Sequence, residues 1–119
     1  MKYLMLIKHS ESYRNEAIPE GLMAAMGKFV EDSVKSGVLK ETAGLKPTAQ
    51  SFRVRSSGGK LKVSDGPFTE AKEIVGGYAI VEVPSRDAAM KVARDFMELH
   101  RVHWPTFEGE CEVRPVEDM

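Results

Sequence analysis

Two residues of this 119-residue chain have side chains suited to proton transfer and lie where functional groups often gather. His9 ends an apolar run that begins at Lys2, and Asp65 opens a turn of sequence "DGPF". An imidazole titrates near neutral pH, and a neighbouring carboxylate can tune it as a base. Strand ends and loops are favoured places for such groups. We therefore predict that His9 and Asp65 are catalytic and form an acid–base pair in one cleft.

Asp65 also has a purely structural interpretation. Its carboxylate can accept hydrogen bonds from main-chain groups two residues further on, while Gly66 permits a positive φ and Pro67 stiffens the chain. Asp65 would then hold the turn together and bind nothing. If the site interpretation holds instead, Asp65→Asn should leave folding intact and abolish ligand binding.

Three further residues are predicted to bind a ligand. Phe68 follows the turn and can line a pocket, and the Arg53 guanidinium matches the geometry of a carboxylate. Tyr78 follows a pair of glycines, Gly76 and Gly77, which mark either a β-bulge or a close approach of the main chain to a ligand. For Arg53, a solvent-facing strand charge is the alternative.

The remaining chemistry-bearing residues receive structural interpretations. Cys111 is the single cysteine, so a disulfide within the chain and a cysteine-based zinc site are excluded. No carboxylate is well spaced from the three histidines, and His100 and His103 are expected at the surface or at a helix end. Trp104 and Phe107 are expected to fill the core rather than wall a pocket. We predict no metal and no other cofactor.

Hydrophobic periodicity predicts the elements that position these residues. The order is strand, helix, hairpin, strand, helix, strand, with Pro19 opening the first helix, Gly37 ending it and Ser85 capping the second. The hairpin covers "QSFRVRSSGGKLKVSDG", and "SSGG" supplies its turn. This order is typical of an α+β, ferredoxin-like βαββαβ fold with an antiparallel sheet.

Two helices can cover only one face of such a sheet. The uncovered face would carry Tyr3, Met5 and Ile7, or else their neighbours Leu4 and Leu6. A monomer seldom exposes that much apolar surface. We therefore predict a homodimer that packs sheet to sheet with two-fold symmetry.

Length, composition and charge exclude several classes of protein. The chain has the length of one domain, residues 1–119, and 42% of it is apolar, as in globular proteins. With 17 basic and 18 acidic residues, it has no field that would attract nucleic acid or an anionic membrane. The apolar start is too short for a signal peptide or a membrane span. We predict a cytoplasmic protein.

Several separated segments resemble one known family in the right order. "MKYLMLI", "VRSSGGKLKVSDGPF", "TEAKE", "GGYAIVEV" and "EVRPV" resemble the DGPF branch of the YCII-related (YciI-like) family, whose signature is written DGPFAETKE. The resemblance implies a ferredoxin-like fold that dimerises into an α+β barrel. The chain departs from the signature at Thr69 and Ala71. It also lacks the histidine of the wider family near the start of the first helix, where it reads "PEGLMAAM".

Two functions remain open. In the first, the protein binds a small polar or aromatic molecule in a cleft near the "DGPF" turn, with cofactor-free acid–base chemistry of the isomerase or lyase kind. In the second, it is a non-catalytic regulatory or interaction module. The resemblance suggests the latter because members of this branch are often encoded beside sigma factors of the extracytoplasmic-function type. A cleft filled by Phe68, Tyr78 and Trp104 would favour the module.

Overall fold

Two helices lie on one face of a four-stranded antiparallel sheet in the computed structural model of the chain. The structure describes residues 1–117, apart from the side chains of residues 14 and 15. The elements are β1 (Lys2–His9), α1 (Glu20–Lys35), β2 (Leu39–Gly44), β3 (Phe52–Ser57), β4 (Lys60–Asp65), β5 (Ile74–Glu82), α2 (Arg86–His103) and β6 (Gly109–Pro115). Short 3₁₀ helices occupy Glu11–Asn15 and Thr48–Gln50.

The order of strands in the sheet is β2-β5-β1-β6, and every neighbouring pair is antiparallel. This order, with both helices on one side, confirms the predicted ferredoxin-like α+β fold. The segment Leu39–Gly44, which reads as a strand or an extended loop, is an edge strand of the sheet. The predicted hairpin forms, but β3 and β4 make a separate two-stranded sheet. In the chain this hairpin lies between β2 and β5, which are themselves neighbours in the four-stranded sheet.

The helices begin and end close to the residues that the local sequence signals predict. Pro19 immediately precedes α1, and Gly37 follows its end with a positive φ of 82°. The Ser85 hydroxyl accepts a hydrogen bond from the Ala88 N–H at 3.1 Å and so caps α2. The apolar face of α1 is narrower than its periodicity predicts, since Met23 and Val34 are more than half exposed.

The register of the sheet decides which apolar strand face the helices cover. Met5 lies opposite Ala79 and Val113, so these three side chains share one face. That face carries the buried core together with helix α2; its members are Tyr3, Met5, Val81, Val83, Ala89 and Ala93. The neighbours Leu4 and Leu6 point the other way, onto the face that carries no helix.

The β3–β4 hairpin extends away from the two-layer body. Its turn residues Gly58 and Gly59 have φ of 58° and 76°, as a tight turn with two left-handed residues requires. All residues of β3 and β4 are exposed. The radius of gyration is 16.0 Å, against about 13.5 Å expected for a compact domain of this length.

Among the described residues, neither helix combines the length and the apolar character needed to span a bilayer.

Candidate functional site

A cavity of about 360 Å³ lies between the two helices and the covered face of the sheet. Its volume is within the range of small-molecule pockets, which starts at about 300 Å³. Strands β1 and β5 supply its floor, and both helices supply its walls. Most of the lining is apolar, including Met5, Leu22, Phe29, Val81, Phe96 and Phe107. The apolar character favours a ligand with a hydrophobic body.

Aromatic rings cluster around Phe107 at one end of the cavity. The ring centroid of Phe107 lies 5.0 Å from that of His100, 6.0 Å from that of His9 and 5.3 Å from that of Trp104. Tyr13 packs on the outer side of this cluster against Phe107. Its hydroxyl donates to the Thr106 carbonyl and accepts from the main-chain N–H of residue 108, both at 2.9 Å. These contacts hold the loop after α2 against the end of β1.

His9 and His100 are buried within this aromatic end, with 9% and 7% of their surface exposed. The Nδ1 atom of His9 lies 2.7 Å from the Ser10 carbonyl oxygen, and Nδ1 of His100 lies 3.1 Å from that of Phe96. A carbonyl oxygen can only accept, so Nδ1 carries the proton in both rings. In each neutral imidazole, Nε2 is therefore the proton acceptor. Two such acceptors in an apolar cavity suit proton transfer or the binding of a donor group.

Burial lowers the pKa of His100 below its ordinary value, because the charged imidazolium loses its hydration. The hydrogen bond to the Phe96 carbonyl acts in the opposite direction, and the nearby His9 lowers the pKa further. His100 is consequently neutral at pH 7.

Gly76 makes room for the His9 ring. The pairing of β1 with β5 slips after Ile7, so that Gly76 is the extra residue of a β-bulge. A β-carbon on Gly76 would lie 2.0 Å from His9 Nε2. The bulge expected from the paired glycines is present, and the glycine within it lets the Nε2 edge of the imidazole approach the main chain.

Tyr78, one of the predicted ligand-binding residues, borders the cavity. It lies opposite Leu6 on β1, so its side chain belongs to the face that carries no helix. The cavity therefore meets the main chain of Tyr78, and the ring faces the other side of the sheet.

Arg53 and Phe68, the other two predicted ligand contacts, lie against each other at the base of the hairpin. The Arg53 guanidinium carbon is 3.6 Å from the centroid of the Phe68 ring, and its Nη1 is 2.5 Å from a Glu70 carboxylate oxygen. Arg53 thus has an aromatic and an acidic partner within the chain. Neither Arg53 nor Phe68 is among the residues that line the cavity.

The "DGPF" turn is held by the Thr48–Gln50 segment, and the structural interpretation of Asp65 needs correction. Phe68 N–H donates to the Thr48 hydroxyl at 3.3 Å, and Thr48 in turn donates through its main-chain N–H at 3.0 Å and through its hydroxyl to Glu11. The exposed Asp65 carboxylate makes no hydrogen bond within the described part of the chain. Thr48, rather than Asp65, is the staple of this turn.

Gly66 serves the turn in a different way from the one its sequence suggests. Its φ is not positive, but a β-carbon there would lie 1.7 Å from the Thr48 carbonyl oxygen. Its N–H donates to the Ser51 carbonyl at 2.8 Å. Only glycine therefore permits this close approach of two main-chain segments.

His9 and Asp65 lie on different sheets, since His9 ends β1 and Asp65 ends β4. A chain of contacts nevertheless connects their neighbourhoods. Glu11, two residues after His9, binds Thr48, and Thr48 binds the main chain of Phe68. The direct His9–Asp65 pair stays a prediction.

His100 is not among the residues that the sequence predicts for the site, and Trp104 and Phe107 are expected in the core. His100 is buried in the cavity instead of lying at the surface, while Trp104 and Phe107 line the cavity wall. A signal was present in the sequence: Phe96 and His100 are four residues apart on the apolar face of α2, which places His100 on the inward side. Their ring centroids are 4.9 Å apart.

Cys111 borders the same cavity from β6, and burial raises the pKa of its thiol to about 11. A protonated thiol is a poor nucleophile. Across residues 1–117, no group of three His, Cys, Asp or Glu side chains is arranged to hold a metal ion. Besides the two imidazoles and this thiol, the polar side chains that line the cavity include Ser33 and Thr42.

Fold and site together define a class: a ferredoxin-like α+β domain with an aromatic, histidine-bearing cavity between helices and sheet. The family model of the YCII-related domain matches residues 1–119, and the chain belongs to this family. A protein of Rhizobium meliloti (strain 1021), itself uncharacterised, is 33% identical over 123 aligned positions, which cover 98% of this chain and 92% of the relative. Assignment to the DGPF branch stays a prediction.

Proposed function

We propose that this protein binds a small molecule with an apolar, aromatic body in the cavity between its helices and sheet. The observation that carries the proposal is the pair of buried imidazoles, His9 and His100, at one end of an apolar space of about 360 Å³. Ligand sites are commonly apolar pockets with a few convergent polar groups. The ligand would direct a hydroxyl or another donor toward the imidazole nitrogens and place its ring against Phe107.

The chemistry proposed for this site is cofactor-free proton transfer, as in an isomerase or a lyase. His9 would accept a proton from the ligand at Nε2, the ring atom that also faces the main chain of Gly76, while its Nδ1–H stays bound to the Ser10 carbonyl. Isomerisation then returns the same proton to another ligand atom, so the histidine ends in its starting state. The neutral neighbour His100 supports this role, because it adds a second acceptor without a positive charge.

Asp65, Arg53 and Phe68, which lie outside the cavity lining, are retained in the proposal as residues of the neighbouring turn region, and Tyr78 as a residue that meets the ligand through its main chain. Support comes from the contacts that connect the "DGPF" turn, through Thr48 and Glu11, to the segment following His9. The cytoplasm is the proposed compartment, in agreement with a single cysteine that is free.

Ligand binding can be tested by thermal shift with phenol, indole and 2-naphthol, and with cyclohexanol as a non-aromatic comparison. A ligand that binds only the native state stabilises it by about 2.7 kcal/mol at a hundredfold excess over its Kd. The matched variants are His9→Asn, which keeps a donor near Nδ1 but lacks Nε2, and Asp65→Asn. We expect at least one aromatic compound to raise the Tm, and both variants to reduce that effect. If no compound of the panel shifts the Tm, the proposed ligand class is wrong.

The proton-transfer step requires its own measurement. A bound ligand with an acidic C–H should exchange that hydrogen for deuterium in D₂O, as followed by NMR. Exchange should need His9 and should be lost in His9→Asn. Binding without His9-dependent exchange would indicate that the protein binds the ligand but does not catalyse proton transfer, and it would contradict the catalytic part of the proposal.

The proposal also includes a homodimer that packs sheet to sheet. It is supported by the face without helices, where Leu4, Leu6 and Ile80 form an apolar centre. Charged residues of both signs surround this centre, as a self-complementary two-fold interface needs; they are Lys2, Lys8, Glu82, Glu112 and Arg114. Leu6→Glu should convert the dimer to a monomer in sedimentation experiments, while Met23→Glu on exposed α1 should not.

The second candidate is a non-catalytic interaction module connected with extracytoplasmic-function sigma factors. The exposed apolar side of the hairpin favours it, because monomers rarely display such a patch without a partner. The ligand panel discriminates the two candidates. A cavity that binds none of the compounds, in a protein that co-purifies with a sigma factor, would favour the module.

A further inference from the structure

A second pocket, of about 380 Å³, lies on the helix-bearing side of the sheet between α2 and the edge strand β6. Met90 and Met97 from α2, together with Val113 and Pro115 from β6, form its apolar wall. We call it the outer pocket. Cys111 borders both this pocket and the cavity described above, but the other described residues that line the two differ. The outer pocket is therefore distinct from the histidine-bearing cavity.

Tyr3 places a hydroxyl without a partner in the outer pocket. The residue is only 4% exposed, and it lines this pocket but not the histidine-bearing cavity. Its hydroxyl makes no hydrogen bond in the described part of the chain. Among the described side chains, the polar atom that is both fully enclosed and unpartnered is Oε2 of Glu11, so the Tyr3 hydroxyl still meets the open space of the outer pocket. A buried hydroxyl without a partner is unfavourable, and a ligand that accepts its hydrogen bond would remove this cost.

Two arginines without an ionic partner border the same pocket. Arg86 and Arg94 line it from α2, and their spacing of two helical turns corresponds to about 12 Å along the helix axis. In the part of the chain that the structure describes, neither guanidinium forms an ion pair or a hydrogen bond. The Glu98 carboxylate, which is close to Arg94, binds Arg101 instead. No Asp or Glu is among the described residues that line the pocket. The outer pocket therefore has a positive charge that the chain itself does not neutralise.

The position of Arg86 does not favour its helix. Arg86 is the first residue of α2, where the helix dipole disfavours a cation, and the neighbouring Asp87 supplies the favourable charge of this turn. The segment that leads into α2 lies beside the start of β1, because the Val83 N–H donates to the Met1 carbonyl at 2.9 Å. Tyr3 is the second residue of β1. The hydroxyl of Tyr3 and the guanidinium of Arg86 consequently border the same end of the pocket.

We infer that the outer pocket binds a carboxylate with an apolar body, of the kind found in medium-length fatty acids. The carboxylate would accept a hydrogen bond from the Tyr3 hydroxyl and pair with the planar guanidinium of Arg86. The apolar body would lie along Met90 and Met97. A neutral ligand would leave both guanidinium groups unpaired, and a small inorganic anion would leave the apolar wall in water.

This inference is independent of the ligand proposed for the histidine-bearing cavity. The sheet-to-sheet dimer proposed above uses the face of the sheet that carries no helix, so it would leave the outer pocket open. Met90, which is 41% exposed, gives a ligand direct access to the apolar wall.

Methionine methyl NMR of the intact protein can locate the ligand, because different methionines line the two sites. Met90 and Met97 line the outer pocket, whereas Met26 on α1 lines the histidine-bearing cavity. With octanoate, we expect the methyl resonances of Met90 and Met97 to shift with a Kd of about 1 mM or lower, while that of Met26 stays unchanged. Acetate, which lacks the apolar body, and 1-octanol, which lacks the charge, should each bind there at least about tenfold more weakly.

Three results of this titration would overturn the inference. They are a shift of Met26 without Met90 and Met97, equal affinity of the outer pocket for octanoate and 1-octanol, and no shift of Met90 and Met97 at about 10 mM octanoate.

Variants of the intact protein test the polar contacts. Tyr3→Phe removes only the hydroxyl and should weaken octanoate binding at least about fivefold, and Arg86→Gln removes the positive charge and should weaken it at least about tenfold. The Tm of both variants should stay near that of the parent protein, because neither group has a partner within the described chain. The matched control is Arg55→Gln, at an exposed arginine of β3 that does not line the pocket, and it should change the Kd by less than about threefold.

An equal loss of affinity in Arg55→Gln would reduce the effect of Arg86 to the overall charge of the protein. A lower Tm of Tyr3→Phe would mean that the hydroxyl has a partner inside the folded chain. Either result would contradict the assignment of these two groups to a carboxylate.

Discussion

The imidazole of His9 lies against the main chain of Gly76 so closely that a β-carbon at position 76 would come within 2.0 Å of Nε2. A β-bulge in β5 and a buried histidine at the end of β1 are therefore one structural unit. The first prediction concerns this contact. Gly76→Ala should displace the His9 ring, lower the stability by about 1–3 kcal/mol and abolish ligand binding, because overpacking forces a side chain out of its position.

Urea unfolding and thermal shift of Gly76→Ala test this expectation. The matched control is Gly27→Ala within α1, where a β-carbon would meet no atom within 4 Å. The control should raise the stability by about 0.5–1 kcal/mol, since alanine favours the helix over glycine. If Gly76→Ala were as benign as the control, the contact with His9 would not determine the ring position.

The second prediction is a pH dependence that comes from His100. Its pKa is lowered in the folded protein, whereas the unfolded chain has the ordinary value of 6.5. The unfolded state therefore binds more protons below about pH 6.5, and the free energy of unfolding falls as the pH decreases from there toward the folded-state pKa. His100→Phe should flatten this slope between pH 7 and 5, as measured by urea unfolding at each pH.

The exposed His103 provides the comparison for this experiment. His103→Gln replaces an exposed histidine of the same helix and serves as the matched control. Equal slopes for the parent protein and His100→Phe would contradict the assignment of the pH dependence to the buried imidazole.

The third prediction concerns the reactivity of Cys111. Its thiol pKa of about 11 and its burial mean that little thiolate exists at pH 8 in the folded state. Ellman's reagent should react slowly with the native protein at pH 8 and stoichiometrically within seconds to minutes in denaturant. Rapid labelling of the folded protein would show that the thiol is accessible and would contradict its partial burial beside the cavity.

The fourth prediction concerns the anchor of the "DGPF" turn. Thr48→Val removes the hydroxyl that binds both the Phe68 N–H and Glu11, and we expect a loss of about 1–3 kcal/mol because buried polar groups lose a partner. Thr69→Val, at an exposed position of the same loop, should change the stability by less than about 0.5 kcal/mol. Similar small effects in both variants would mean that Thr48 does not hold the turn.

Much of the fold could be predicted from the sequence because its signals are local. Gly37 ends α1 by its left-handed conformation, Ser85 caps α2 through a group three residues away, and Gly58 with Gly59 makes the hairpin turn. Each of these needs only a few neighbouring residues. Alternation along β1 likewise indicated two apolar faces, but it could not say which of them the helices cover.

The candidate site depends on contacts between distant segments, which local sequence signals do not predict. His9 could be singled out from its place at a strand end, yet its neighbours His100 and Phe107 come from α2 and the loop after it. The contact between Thr48 and the main chain of Phe68 could not be predicted either. A single threonine carries no signal for a contact with a loop that lies beyond the next two strands. Spacing along the chain carries no information on contacts between distant segments, which depend on how helices and strands pack.

The sequence alone determines two helices, an antiparallel sheet and a tight hairpin, because helix caps, turns and hydrophobic periodicity act over a few residues. The packing of α2 on the sheet buries His100 near His9 and leaves His103 exposed. The β-bulge at Gly76 makes the space that the His9 ring occupies. Both outcomes follow from steric fit between distant elements, where a single β-carbon is enough to exclude the observed arrangement.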